Sequence, residues 1–139
     1  MKPLFADTDY WIAIFWPRDS LNAEAVRVTG EINDREIVTS EMVLVEFLNY
    51  FSAATQNTRE SAAQFVEELR IEQSVRTIEQ TTELFLDALE LYIARPDKSW
   101  SFTDCSSMVL CSLESITEVL TNDHHFQQAG LVALLRDPV

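Results

Sequence analysis

Pro3-Leu4-Phe5-Ala6-Asp7-Thr8-Asp9-Tyr10-Trp11-Ile12-Ala13-Ile14-Phe15-Trp16-Pro17 carries the reading of the fold. Pro3–Ala6 is a short apolar run with an acid directly behind it, which predicts a strand. Tyr10–Trp16 predicts a short apolar helix that Pro17 closes. A strand handing over to a helix across one acidic turn begins an α/β unit. Asp7 and Asp9 also interrupt the apolar stretch, which makes it a poor signal peptide, so the expected location is the cytoplasm.

The alternation continues outward from this stretch. Leu21–Ile32 reads as a second helix and Glu36–Thr39 as a second strand. Thr39-Ser40 supplies N-cap residues for a helix through Ala54. Thr58 caps the next helix, where Ala62, Phe65, Val66 and Leu69 follow the i, i+3, i+4, i+7 spacing. Val75–Ile78 reads as a strand. Over Glu79–Ala94, Leu84, Phe85, Ala88, Leu91 and Tyr92 form one apolar stripe, with Glu83, Asp87 and Glu90 turned away from it. Arg95–Ser99 is a loop, Phe102–Ser115 a helix, Glu118–Thr121 a strand, His124–Gln128 a helical turn and Leu131–Leu135 the last strand. The pattern predicts one α/β domain over residues 1–139 with a mainly parallel central sheet, whose ligands gather beyond the carboxyl ends of the strands.

Composition bounds the function. The 139 residues are 47% hydrophobic and 24% charged, with two glycines and four prolines, which suits a folded core and excludes collagen-like or linker-rich chains. No apolar run approaches the roughly 20 residues of a membrane span. Twenty-three acids against ten Lys and Arg leave a net charge of −13, and Lys2 and Lys98 are the only lysines. Such a chain repels polyanions and has no basic stripe for double-stranded DNA. Nucleic-acid chemistry therefore requires metal ions or a local basic patch, and the acidity suits a partner with basic segments. Cys105 and Cys111 fall in one predicted helix, about 9 Å apart along its axis, too far for a disulfide. They read as buried thiols.

The acids occupy telling positions. Asp7 ends the first strand and Asp123 follows the strand that closes at Thr121. Glu46 sits inside Met42-Val43-Leu44-Val45-Glu46-Phe47-Leu48, apolar nearly all round, and Asp104 opens an apolar helix. Each has a plainer reading. Asp7 or Asp123 caps the helix behind it, as Asn122 also can. Ser101-x-x-Asp104 is a variant capping box. Glu46 pairs with a distant Arg, since positions 42, 43, 49 and 50 hold no cation and an isolated buried carboxylate costs several kcal/mol. Taken together, the four carboxylates converging on one sheet edge would repel and raise each other's pKa, which a divalent cation relieves. Oxygen ligands without a Cys or His cluster point to Mg²⁺ or Mn²⁺. The adjacent His124 and His125, diverging on a helix, read as surface or supporting residues. No phosphate-binding glycine loop and no G-x-S-x-G elbow is present.

Phe5-Ala6-Asp7-Thr8-Asp9, the helical Glu46, Ser101-Phe102-Thr103-Asp104-Cys105 and Leu120-Thr121-Asn122-Asp123-His124-His125-Phe126 together resemble the PIN-domain family, and VapC-type toxins within it, over essentially the whole chain. The resemblance implies a three-layer α/β/α sandwich and an acidic site of Asp7, Glu46, Asp104 and Asp123, with Asp7 and Asp104 the foremost metal ligands. Thr103 matches the hydroxyl residue that often precedes the third acid. Asp9 departs from the usual Ser, Thr or Asn and is an extra acid near the metal or a helix cap. Asp9, Thr103 and Asn122 are the expected supporting residues. The resemblance further implies a metal-dependent ribonuclease cutting single-stranded or looped RNA, often a homodimer, silenced by an antitoxin that inserts a segment over the acidic groove. Two other readings stand beside it. One is a non-catalytic PIN-like binding module. The other is an aspartyl-phosphate phosphatase built on Asp7-Thr8-Asp9, although Trp11 departs from that motif and no positioned Lys follows a later strand.

Overall fold

The computed structural model describes residues 2–32 and 34–138. Along the chain run β1 (Leu4–Ala6), α1 (Thr8–Phe15), α2 (Asn22–Glu31), β2 (Ile37–Ser40), α3 (Glu41–Tyr50), α4 (Gln56–Ile71), β3 (Val75–Ile78), α5 (Thr82–Ala94), α6 (Phe102–Leu113), β4 (Glu118–Leu120), α7 (His124–Gln128) and β5 (Val132–Ala133). The five strands form one all-parallel sheet in the order β3-β2-β1-β4-β5, with Phe5 opposite Val38 on one side and Val119 on the other. The helices sandwich it in an α/β/α arrangement, as the wholly buried β1 requires.

The strand order matters for the site. The chain builds outward from β1 through β2 to β3, then returns to lay β4 on the opposite side of β1. The β1–β4 boundary is a switch point, where the connections leave in opposite directions and open a crevice at the strands' carboxyl ends. Asp7 and the Thr121–Asp123 segment emerge there.

Local signals set most element ends. Ser40 Oγ accepts from the Val43 N–H at 3.1 Å and starts α3, and Thr81 caps α5. The cap of α4 is Thr55, three residues ahead of Thr58, whose own N–H donates to Thr55 Oγ1. Both threonines are competent caps, and the earlier start gains a turn of helix. The α3 helix stops at Tyr50 short of the expected Ala54, because Phe51, Ser52 and Ala54 tighten into i→i−3 bonds. The final strand shrinks to two residues, beyond which the Arg136 N–H turns back to the Ala133 carbonyl.

One apolar cluster runs from Leu4 to Leu135. Within it Phe15, Phe47, Phe51 and Phe65 meet at ring-centroid separations of 5.0–5.5 Å and join α1, α3 and α4. Wholly buried Phe47 therefore fixes the rotation of α3 and with it the direction of Glu46. The expected α5 stripe divides: Ala88 is buried, Leu84 and Leu91 half-buried, and Phe85 and Tyr92 exposed, although the Phe85 ring lies 4.9 Å from that of Phe102 on α6. Cys105 and Cys111 are buried free thiols, and burial pushes Cys111 up to about 12. No described helix is long and apolar enough to cross a membrane.

Candidate metal centre

The centre is organised by Thr121, the residue after β4. Its Oγ1 lies 3.0 Å from Asp7 Oδ2 and 3.2 Å from Asp9 Oδ2, and accepts from the Asp123 N–H at 3.1 Å. One hydroxyl carries one proton, so it donates to one carboxylate at a time. The other contact is a hydrogen bond when that carboxyl keeps its own proton. The Asn122 N–H donates to Asp9 Oδ2 at 2.8 Å, which ties the carboxyl ends of β1 and β4 together.

This arrangement is electrostatically tense. Burial, and then the Asp9 charge, hold the Asp7 carboxyl well above its ordinary range despite the Thr121 bond. Burial also lifts Asp9 to about 6, against the lowering effect of the Asn122 and Thr121 bonds. Asp7 occupies the N-cap position of α1 but makes no side-chain cap bond, so capping does not account for it.

Asp104 forms the capping box foreseen for it and also lines the acidic cleft. Its Oδ2 accepts from the Ser101 N–H while its own N–H donates to Ser101 Oγ, a complete capping box at the start of α6. The same Oδ2 lies 3.0 Å from His125 Nδ1. Asp123 caps α7 by accepting from the His125 N–H at 2.9 Å, and its Oδ1 is 3.4 Å from His125 Nδ1. His124 and His125 do not diverge as expected: their ring centroids are 4.5 Å apart, and His125 turns inward to link Asp104 with Asp123. The two rings open a five-residue helix against its N-cap, where local bonding overrides the angular spacing of a long helix.

Glu46 is half-buried, without a hydrogen bond or ion pair among the described residues. The apolar stretch around it does not enclose it, because Val45 and Leu48 are exposed while Val43, Leu44 and Phe47 turn into the core. Glu46 instead faces a cleft of about 610 Å³ shared by Asp7, Asp9, Asp104, Asp123 and His125. Asn49 and Tyr50 also line it. They are i+3 and i+4 from Glu46, the spacing that could have identified them. Thr103 is absent from the lining and Asn122 acts through its backbone. A larger hollow of about 900 Å³ beside the C-terminal segment holds none of the four principal acids.

The donor set fits a hard divalent cation. Five carboxylates face one cleft that, among the described residues, no Lys or Arg lines. Asp9 Oδ1 and Thr8 Oγ1 are buried there without hydrogen-bond partners among the described residues. An added positive charge relieves the repulsion and gives such oxygens a partner. Asp123, His124 and His125 also bring ligand-type atoms within 4.8 Å of one another. His125 Nδ1, however, is turned to carboxylates, which it orients.

The sequence pattern of the PIN domain matches residues 4–131. No curated protein matches the chain in sequence. Among solved structures, the crystal structure of VapC20 from Mycobacterium tuberculosis, described as a sarcin–ricin-loop-cleaving toxin, superposes with a TM-score of 0.81. The two chains are 23% identical over 93% of this chain and 96% of that one, a likeness of fold.

Proposed function

The chain belongs to the PIN-domain family, and from that membership we propose that it is a Mg²⁺- or Mn²⁺-dependent endoribonuclease, the toxin of a toxin–antitoxin pair. The single observation that carries the reading is the convergence of Asp7, Asp9, Glu46, Asp104 and Asp123 in one cleft at the β1–β4 switch point. The VapC20 fold adds support for the toxin class. The reading takes residues 1–139 as one PIN-like domain working in the cytoplasm, as a homodimer. A cognate antitoxin silences it with a basic segment.

Asp7 and Asp104 are the foremost ligands, with Glu46 and Asp123 completing the set. A bound divalent cation supplies Lewis-acid chemistry, making water a stronger nucleophile and steadying charge on the phosphodiester. The protein's own groups do the rest. Thr121 holds Asp7 in place and shares a proton between Asp7 and Asp9. The capping box fixes the direction of Asp104, and His125 braces Asp104 against Asp123. Glu46, with no partner among the described residues, is available to orient an attacking water. Among the described residues no Lys lines the cleft, which disfavours the phosphatase reading.

Cleavage of a structured RNA with and without Mg²⁺ or Mn²⁺, by wild type and Asp7→Asn, tests the proposal. Metal-dependent cutting that Asp7→Asn abolishes is the expected result. Wild type that leaves RNA intact while binding metal or partner points to a non-catalytic PIN-like module.

A further inference from the structure

A second hollow of about 560 Å³ adjoins the acidic cleft, and Ser99 and Ser101 line both. Its size falls within the roughly 300–1,000 Å³ typical of ligand sites. It lies between the end of α5 and the start of α6, and its chemistry is opposite to that of the cleft. Arg95 and Lys98 line it with Tyr92, Pro96 and Trp100. In a chain with ten Lys and Arg against 23 acids, two cations bordering the acidic centre are conspicuous.

The hollow is preorganised. Pro96 occupies the second position of a turn closed by the Lys98 N–H donating to the Arg95 carbonyl at 3.2 Å. The Asp97 carboxylate accepts from Arg95 Nε and Nη2, both at 2.9 Å, leaving Nη1 without a partner among the described residues. That fork holds the guanidinium 5.1 Å from the centre of the Trp100 ring. Trp100 is only 6% exposed and serves as a wall; Tyr92, at 51%, offers an open aromatic face. Lys98, like Lys2, Arg18, Arg59 and Arg136, makes no ion pair among the described residues, and of these five only Lys98 lines the hollow.

We infer that this groove is a nucleotide subsite that holds the single-stranded RNA flanking the phosphate to be cut, with Lys98 and Arg95 Nη1 on a backbone phosphate and a base stacked on Tyr92. The inference rests on the ribonuclease reading and deepens it. An acidic centre in a chain of net charge −13 repels a polyanion before metal can bridge the two. A cationic and aromatic groove one serine ridge away supplies the attraction and the register. Basic residues interleaved with an aromatic face are what single-strand binding requires, and every base has a face that can stack. The alternative occupant is a second protein chain using the apolar side of α5.

The test measures binding of a fluorescent, short single-stranded oligoribonucleotide in Mg²⁺ by Glu46→Gln protein, with and without further substitutions. Wild-type cleavage kinetics are recorded in parallel. Lys98→Ala should weaken binding about tenfold and lower the slope of log affinity against log salt by about 0.7, the effect of one lost phosphate contact. Tyr92→Ala should weaken it by about tenfold. Lys98→Arg and Tyr92→Phe should restore most of each loss. Lys2→Ala, which removes the same charge before β1 at the other end of the sheet, should change nothing. Corresponding losses in cleavage should fall on KM more than kcat. Cleavage by wild type with KM and salt slope indifferent to Lys98 and Tyr92 overturns the groove and leaves the ribonuclease reading standing. Strand binding that depends on both residues, without cleavage, upholds the groove and overturns the ribonuclease. A Tyr92→Ala variant that loses self-association in sedimentation but keeps its RNA affinity assigns the surface to a protein partner and overturns the inference.

Discussion

Glu46 borders the acidic cleft without a charged partner among the described residues, and this determines how its substitution behaves. An ion-paired, buried glutamate would cost about 3–5 kcal/mol on losing its charge, because the partner would be stranded. Here no partner is stranded, so Glu46→Gln should leave stability within about 0.5 kcal/mol while abolishing RNA cleavage. Thermal melting and a cleavage assay on the same preparation check both halves. Asp7 and Asp9 give a second prediction, with the sign set by their raised pKa values. A carboxyl that holds its proton more tightly when folded remains protonated at pH values where the unfolded chain has lost that proton. Metal-free stability should therefore fall as pH rises from about 4 through about 6 and beyond. Melting temperatures across that range should show the decline. Asp9→Asn should flatten it, and saturating Mg²⁺ should reduce it; a metal-free curve that rises with pH contradicts the assignment. Asp7, Asp104 and Asp123 were legible because strand ends and helix starts announce themselves, whereas Glu46 stood out for an apolar setting that does not in fact enclose it. Thr121 was not, since a buried hydroxyl that bridges two strand ends leaves no periodic signal; for His125 only a surface or supporting role was readable, not its inward turn, since neighbouring histidines on a long helix would have diverged.

Ser115 ends α6 in the left-handed region at φ 55°, while the Ile116 N–H reaches back to the Cys111 carbonyl at 2.8 Å. This is a helix stop of the kind that glycine favours, with serine in its place. A side chain in that conformation costs roughly 1–2 kcal/mol, part of which glycine would return as greater freedom of the unfolded chain. Ser115→Gly should consequently stabilise the protein by about 0.5–1 kcal/mol, readable by chemical denaturation, without changing activity. The same position shows why element ends are less legible than element types. Strand three and the helical turn at 124–128 were readable residue for residue, because turn and cap residues bound them on both sides. Helix α4 begins at Thr55 because two threonines three residues apart are both competent caps, and the earlier one adds a turn of helix. The α5 stripe misled for a different reason: periodicity identifies an apolar face but not whether anything covers all of it, and Phe85, Leu86, Tyr92 and Ile93 remain exposed.

At the scale of the whole molecule, a net charge of −13 coexists with a cleft that gathers five carboxylates and, among the described residues, no Lys or Arg. Folding forces these charges together, so Mg²⁺ or Mn²⁺ should raise the melting temperature in a concentration-dependent way. Asp104→Asn should weaken that shift; calorimetry without metal binding at millimolar concentration would remove the shared site. The same physics constrains the antitoxin that the proposed function calls for. An Arg or Lys placed among Asp7, Glu46, Asp104 and Asp123 supplies the charge that metal would otherwise supply, and an Arg fork can satisfy two carboxylate oxygens at once. The two ligands are then competitive, and partner affinity should fall as Mg²⁺ rises. Salt should weaken the complex as well, although less than it weakens exposed pairs, because desolvated charges are poorly screened. The raised carboxyl pKa values add a signature that a surface contact elsewhere would lack. A cation entering the cleft favours the ionised forms of Asp7 and Asp9, so binding near pH 6 should release protons and tighten as pH rises. Calorimetric titration of the antitoxin in buffers of different ionisation enthalpy, repeated at increasing Mg²⁺, measures both effects. Affinity that responds to neither metal nor pH would place the partner's main contacts on exposed apolar helix faces such as that of α5, and leave the acidic cleft open in the complex.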